Sequence, residues 1–353
     1  MINLTKFQDK AVLVTGGAGF IGSEAVQQLL SEEAKVTVFD NFSSGKRQYL
    51  PKKDKNLRII KGDITDEKAV NKATKDQEII FHFAALPFIP DSFYYPVDFF
   101  KVNTIGSMHV FWSAVKSKTV ETVINTSTSE VYGSAQYTPM DENHPTSPYS
   151  TYAVSKLAAD RAAFTLHKEN GFPVVIIRPF NTFGPRYTEP YIIPEIIGQI
   201  LRGTRELNLG NIHSTRDFTF VSDTVKGFIK AAKEKKALGE IINLGSQNEV
   251  KIGDLVTKLS KIAIHRKIQI KINDIFTEKN FFRRLKITKD ESRLRPYDVN
   301  RLVCNNKKAK KLLKWKPTVT VDKGLKLTYE WSKNNKVIFD SPFTRFYYKK
   351  SSK

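Results

Sequence analysis

Six short, almost uninterrupted apolar runs mark the first half of the chain: AVLVTG (11–16), KVTVF (35–39), LRIIKG (57–62), EIIFHFAA (78–85), VETVINTS (120–127) and PVVIIRP (173–179). Between them, apolar residues recur at helical spacing over 21–32, 66–75, 104–118 and 149–170. Strands that are apolar at successive positions must be covered on both faces, and helices alternating with strands provide that cover. The pattern predicts an α/β fold, a doubly wound parallel sheet of the Rossmann type. Past residue 180 the rhythm becomes irregular, and NTFGPRYTEPYIIP (181–194) and GNIHSTRDFTF (210–220) read as loops. A further strand, EIINLGS (240–246), returns to the sheet, and helices are expected near 252–263, 305–313 and 322–334. Residues 1–178, completed by about 222–247, then form the first domain. A smaller C-terminal domain, 179–221 with 248–340, is woven into it, and 341–353 remain as a basic tail.

Composition adds limits rather than identity. The chain has 353 residues, 40% hydrophobic and 26% charged, which is ordinary for a soluble enzyme. No stretch of about 18 uncharged apolar residues exists, so no membrane span is expected. The N-terminus lacks the features of a signal peptide, and a single cysteine, Cys304, permits no internal disulfide. A cytoplasmic location is the expectation. The formal net charge of +21 is unusual, and residues 301–353 hold 15 Lys and Arg against 3 Asp and Glu. These lysines are spread singly, as on a solvated surface, so no nucleic-acid partner is expected. The six histidines are scattered without metal-ligand spacing, and no metal site is proposed. His82, at a strand end, is assigned to packing.

Chemistry enters at TGGAGFIG (15–22), between the first strand and the first helix. Gly16, Gly19 and Gly22 suit a tight turn that lets a pyrophosphate approach the backbone, with Phe20 and Ile21 opening a helix whose free N–H groups face it. Asp40, with Asn41 beside it, closes the second strand, where a carboxylate accepts both ribose hydroxyls and repels a 2′-phosphate. That choice favours NAD over NADP. Asp63 and Ile64 after the third strand fall beside the adenine, and Ala84 and Ala85 after the fourth offer small residues against the cofactor. Asp63 is also a plausible turn or cap residue on sequence grounds.

Tyr152 and Lys156, in YAVSK, lie four apart and so share a helix face. Tyrosine, with a pKa near 10, is a poor base at neutral pH unless positive charge lowers it by roughly 3 units. The lysine and an oxidised nicotinamide are the expected sources. Upstream, STSEVYG (127–133) puts Glu130 just beyond a buried strand.

Together TGGAGFIG, STSEVYG and YAVSK resemble the extended short-chain dehydrogenase/reductase family, the NAD-dependent sugar-nucleotide epimerases and dehydratases. The similarity continues through RPFNTFGPR (178–186), RDFTFVSDTV (216–225), INLG (242–245) and RPYDVNRLVCNNKKAKKLLKWKP (295–317), covering about residues 8–330. The resemblance implies a C-terminal domain that binds a nucleotide-diphosphate sugar. It assigns Tyr152 to remove the proton of the sugar 4-hydroxyl during hydride transfer to NAD. Lys156 holds the ribose, and Thr128 hydrogen-bonds the reacting oxygen. Asn181, Arg216 and Arg295 contact the nucleotide and its diphosphate, with buried ion pairing as the other role for the arginines. Phe88 and Ser92 are candidates to line the sugar pocket. Helices 104–118 and 149–170 match those that the family uses to form a homodimer.

Glu130 matches the glutamate that, in the family's dehydratases, takes the C-5 proton of a 4-keto sugar so that the C-6 hydroxyl departs as water. Ser129 stands where the dTDP-glucose dehydratases carry an aspartic acid, and its hydroxyl is left to relay a proton or hold the departing group. STSEVYGSAQYTPMDE and RLVCNNKKAKKLLKWKP are most similar to 4,6-dehydratases of the legionaminic acid pathway type. The reading is therefore an NAD-dependent nucleotide-sugar 4,6-dehydratase, on a nucleotide-linked N-acetylglucosamine or glucose. A 4-epimerase or UDP-glucuronate decarboxylase on the same scaffold is the alternative. A non-catalytic NAD-bound scaffold that binds RNA or membrane is the alternative from another class.

Overall fold

The computed structural model describes residues 7–186, 190–204, 206–268, 286–295 and 297–335. Residues 341–353, the expected basic tail, lie outside the described residues. In chain order β1 (Ala11–Thr15) leads into α1 (Phe20–Ser31), then β2 (Lys35–Asp40), β3 (Leu57–Lys61), α2 (Glu67–Thr74) and β4 (Ile79–His82). Two single-turn helices follow, α3 (Ile89–Ser92) and α4 (Pro96–Phe99). A π-helical segment (Phe100–Gly106) then runs into α5 (Ser107–Lys116). β5 (Thr122–Thr126), α6 (Thr151–Asn170) and β6 (Val174–Pro179) complete the first half.

The remainder contains β7 (Asn181–Phe183), α7 (Ile192–Leu201), β8 (Glu206–Leu209), β9 (Thr215–Phe220) and α8 (Val221–Lys233). After these come β10 (Ile241–Leu244), β11 (Glu249–Lys251), α9 (Ile252–Ile268), β12 (Lys286–Lys289), α10 (Lys307–Leu313) and α11 (Val321–Asn334).

Seven strands pair in the order β10-β6-β5-β4-β1-β2-β3, all parallel. This is the doubly wound order, with its reversal between β1 and β4. Successive residues serve opposite cores. Val12 and Val14 of β1, with Val175 and Ile177 of β6, pack on the face covered by α1 and α8. Leu13, Val174 and Ile176 face the α5–α6 side. That two-sided burial explains why the strands read as unbroken apolar runs. The long helix α6 is delimited as its ends require: the Ser150 hydroxyl accepts from the Ala153 amide, and Gly171 closes it at φ 65°.

A third core gathers Ile196, Ile197, Leu207, Leu209, Leu255, Leu259 and Leu325, among others. It includes residues of the three-stranded sheet β11-β9-β7 and of β8, which pairs with β12. Two stretches read as loops are structured. Residues 181–183 form β7, 192–201 form α7 and 215–220 form β9. The physical reason is visible in β9, TRDFTF. Its buried positions include Arg216 and Asp217, charges whose partners are remote in sequence, so no apolar periodicity announces the strand. Asp217 accepts from the amides of Ser246, Gln247 and Cys304. By contrast, the return of 240–246 to the sheet is found as expected, β10 pairing parallel to β6.

Candidate functional site

The reversal point between β1 and β4 opens into one long cavity of about 470 Å³, which runs from the glycine turn to Arg295. Its first third follows from backbone geometry. Gly16 has φ +68°, and a Cβ there would lie 2.6 Å from the Ala84 nitrogen. At Gly22 a Cβ would fall 2.1 Å from the Gly16 carbonyl oxygen, so helix and turn touch at that point. Gly19 precedes α1, whose N-terminus has neither a side-chain cap nor an acidic residue in its first turn. Phe20, Ile21 and Gly22 line the cavity there, so unpaired helix N–H groups meet no competing anion of the chain. This cradle fits a dinucleotide pyrophosphate.

Asp40 ends β2 inside the same cavity, its carboxylate oxygens accepting from the amides of Ala18 (2.9 Å) and Phe42 (2.7 Å). Burial raises its pKa against those two bonds. Each oxygen keeps a second lone pair for a ribose hydroxyl. Asn41 donates to Asp63 at 2.8 Å. Asp63 also accepts from the amide and hydroxyl of Thr65, so its turn role and its cavity position coexist. Burial pushes the Asp63 carboxyl up, but the bonds from Thr65 and Asn41 outweigh it and its pKa is lowered. Ile64, Ala84 and Ala85 line the same stretch, together with Ser43, Ser44 and Gly45, which the sequence reading omitted.

The middle of the cavity is built where β5 ends and α6 begins. Thr128 is extended and caps a short turn, Ser129–Tyr132, its hydroxyl accepting from the Glu130 amide at 3.2 Å. That turn brings Ser129 and Glu130 to the wall opposite the first turn of α6, which presents Tyr152 and Lys156. Among the described residues no hydrogen bond reaches the Glu130 carboxylate, although the residue is buried. Burial pushes the Tyr152 phenol up to about 12, a hydrogen bond with Thr128 opposes, and the Glu130 charge adds to the rise. Burial likewise takes Lys156 down to about 8, with the Asp160 carboxylate opposing.

The chain's own groups therefore do not lower the phenol: burial dominates, and the Glu130 charge adds a smaller push in the same direction. His82 is a buried structural node, as assigned: its ring nitrogens reach Thr15 Oγ1 (2.7 Å) and Ser107 Oγ (2.8 Å). Burial, with Lys156 adding, holds its pKa at about 3, so the ring is neutral. Among the described residues no cluster of His, Cys, Asp and Glu is arranged to hold a metal.

At the far end Arg216 and Arg295 both line the cavity and share one carboxylate, Asp298, at 3.4 and 3.5 Å. The ion pairing foreseen as the other role for the arginines is thus present, and both side chains also line the cavity. One carboxylate between two guanidinium groups leaves net positive charge facing the cavity, and a diphosphate suits it. Burial lowers the pKa of Arg216, while Glu130 and Asp298 raise it and Arg295 lowers it. Asn181 also lines this end, with its Oδ1 buried and lacking a hydrogen-bond partner among the described residues. Phe88 lines the wall, and its ring meets Tyr191 edge-on at 5.6 Å.

Ser92 departs from the expectation. It is buried in α3, donates to the Ile89 carbonyl at 2.7 Å and does not line the cavity. Sequence reasoning missed Tyr191, Asn211, Arg293 and Asp298. Of these only Asp298, three residues after Arg295 and of opposite charge, carried a local signal.

Comparison with known proteins agrees with this geometry. Residues 13–328 match the family described as GDP-mannose 4,6 dehydratase. A UDP-N-acetyl-alpha-D-glucosaminuronate decarboxylase of Bacillus cytotoxicus is 32% identical over 91% of this chain and 97% of its own length. A UDP-N-acetylglucosamine 4-epimerase from Methanobrevibacter ruminantium M1, solved in complex with UDP-N-acetylmuramic acid, superposes with a TM-score of 0.80 at 30% identity. That match covers 93% of this chain and 99% of the epimerase. A double mutant of a Streptomyces venezuelae dTDP-glucose 4,6-dehydratase, solved with NAD bound, gives 0.82 at 28% identity, over 93% of this chain and 98% of the other. Three reactions are thus represented among relatives of similar distance, joined by one fold and one substrate class. The chain belongs to the GDP-mannose 4,6-dehydratase family within the extended short-chain dehydrogenase/reductases, and it is an enzyme of their nucleotide-sugar dehydratase/epimerase group.

Proposed function

We propose that this chain is an NAD-dependent nucleotide-sugar 4,6-dehydratase. The observation that carries the reading is Glu130, a carboxylate on the cavity wall with Thr128 and Tyr152, held there by a turn that Thr128 itself caps. A 4-epimerase needs no base at C-5, whereas elimination of water does. The NAD-bound dehydratase relative and the glycine cradle support NAD as the cofactor. When bound, it supplies the acceptor for the C-4 hydride and the source of the hydride added at C-6. Tyr152 takes the proton of the 4-hydroxyl, with Thr128 orienting that oxygen and Lys156 anchoring the ribose. Glu130 then removes the C-5 proton made acidic by the 4-ketone, and Ser129 holds the departing C-6 hydroxyl. Arg216 and Arg295 clamp the diphosphate, Asn181 contacts the nucleotide, and Phe88 bounds the sugar. Relatives named for N-acetylated UDP-sugars and relatives named for dTDP-glucose together support a nucleotide-linked N-acetylglucosamine or glucose as the substrate.

Mass spectrometry of products from UDP-, GDP-, CDP- and dTDP-sugars in deuterated buffer, without added reduced cofactor, tests this. The expected product has lost one water and carries one solvent deuterium at C-5. A product of unchanged mass would mean epimerisation, and loss of carbon dioxide from a uronic acid would mean decarboxylation; either outcome ends the dehydratase reading.

We also propose a homodimer formed through α4, the π-helical segment, α5 and α6. Tyr95, Val97, Phe100, Ile105, Trp112 and Val154 stand exposed along these elements, Val97 by 75%. A run of apolar residues on one side of a helix pair is the mark of a buried interface. Light scattering is expected to give a dimer that Val97→Glu converts to monomer; a monomeric parent chain would refute the interface. Among the described residues no helix is long and apolar enough to cross a membrane.

A further inference from the structure

A chain of buried polar groups runs behind the catalytic wall, and the mechanism above makes no use of it. Asp160 sits on α6 one turn beyond Lys156 and is fully buried. The Arg178 guanidinium, on β6, grips it with two bonds, Nε to Oδ2 at 2.9 Å and Nη2 to Oδ1 at 3.1 Å. Its third nitrogen, Nη1, donates to the hydroxyl of Tyr132 at 3.0 Å, and that hydroxyl donates onward to Asn243 Oδ1 on β10 at 2.8 Å. Tyr132 ends the same four-residue turn that carries Ser129 and Glu130. Arg178, Tyr132 and Asn243 are as buried as Asp160, and the Arg178 guanidinium carbon stands 4.9 Å from the Tyr132 ring centre.

We propose that Arg178, gripped by Asp160 and bonded to Tyr132, is the positioning residue that sets Glu130 against Tyr152 and Lys156. It rests on the reading of Glu130 as the C-5 base. The two halves of the catalytic wall come from segments with no covalent rigidity between them: a short turn after β5 and the first turns of a helix twenty residues long. A bidentate guanidinium–carboxylate pair fixes direction as well as distance, and the third donor passes that direction to the turn. Asp160 also acts electrostatically on Lys156, four residues before it on the same helix. The other titratable or charged groups around that lysine are Tyr152 and Arg161 on its own helix, His82 on β4 and Arg178 on β6, the two arginines acting through Asp160, which both bond. The brace therefore touches both the geometry of Glu130 and the charge of Lys156.

Tyr132→Phe tests it with the least risk to folding, since the ring stays and only the hydroxyl goes. Single-turnover experiments with the sugar nucleotide found by the product screen would follow C-4 oxidation as cofactor reduction and water loss by mass. A small displacement of a reacting group is worth at least an order of magnitude, so water loss is expected to slow about 10-fold. C-4 oxidation and KM are expected to stay within about 2-fold on the same argument.

In Asp160→Asn the high-pH limb of kcat is expected to move down by about one pH unit, because the carboxylate that opposes Lys156 deprotonation is gone. Unchanged water loss in Tyr132→Phe with only a lowered melting temperature, or an equal loss in both steps, would overturn the proposal. So would an unmoved pH limb in Asp160→Asn. Glu130→Gln run in parallel separates the two readings. If that variant fails to block water loss the base assignment falls, and if it blocks while Tyr132→Phe does not, only the brace falls.

Discussion

Tyr152→Phe is expected to suppress oxidation at C-4 by a factor on the order of 10²–10⁴, the usual worth of a positioned acid–base group. Cofactor binding should be nearly unchanged, because the cradle at Gly16, Gly19 and Gly22 is made of backbone and lies on another strand end. The size of the effect follows from what the chain does to the phenol. With its own groups alone Tyr152 titrates at about 12, first because of burial, then despite Thr128, and with Glu130 pushing the same way. A phenol with that pKa is protonated at pH 7 and cannot accept a proton.

Activity therefore demands positive charge beyond Thr128's hydrogen bond. Lys156, one turn away, supplies it only while protonated, and burial has brought its own pKa to about 8. Oxidation at C-4 should accordingly fall as pH rises through the lysine's titration. Ultraviolet difference titration of the phenol with and without NAD, beside single-turnover cofactor reduction in the variant, checks both claims. Turnover at the parent rate in Tyr152→Phe would remove Tyr152 from the base role.

Much of this site was legible because its parts are local. TGGAGFIG states a turn whose close contacts arise within eight residues, and Gly22 meeting the Gly16 carbonyl is the structural reason for the spacing. Tyr152 and Lys156 share a face because a helix repeats every 3.6 residues. The parallel sheet announced itself through two-sided burial, the property that makes β1, β2 and β6 nearly continuous in apolar residues.

What stayed hidden was non-local. Arg216 and Asp217 disguise β9 as a loop because their partners lie 29 to 87 residues away, at Ser246, Asp298 and Cys304. Ser92 looked like a pocket residue, but its hydroxyl is consumed by the Ile89 carbonyl three residues back in its own single-turn helix. The high pKa of Tyr152 in the chain without its cofactor stayed hidden because spacing shows neighbours and not burial. Spacing supplied the lysine; only the fold shows the desolvation that raises the phenol's pKa past the Thr128 bond, and the glutamate that adds to it.

Glu130→Gln is expected to divide the reaction in two. The amide keeps the shape of the side chain and the 3.2 Å bond from the backbone nitrogen to Thr128, so the turn Ser129–Tyr132 should stand. In the proposed mechanism oxidation at C-4 depends on Tyr152, Lys156 and Thr128, and removing a negative charge that raises the phenol's pKa should leave that step intact or slightly faster. Proton removal at C-5 has no substitute of comparable strength on this wall. Among the described cavity residues, Asp298 is paired with Arg216 and Arg295, and Glu195 with Arg293. Asp40 and Asp63 belong to the cofactor end. Water loss should therefore drop by a factor on the order of 10²–10⁴ while cofactor reduction persists. Exchange of solvent deuterium into C-5 should disappear with it. The decisive measurement is that pair of readouts in one sample: cofactor reduction without deuterium at C-5 establishes Glu130 as the base that follows the ketone. Deoxy product formed at the parent rate would show that elimination on this scaffold takes its proton elsewhere, and the dehydratase reading would lose the residue on which it stands.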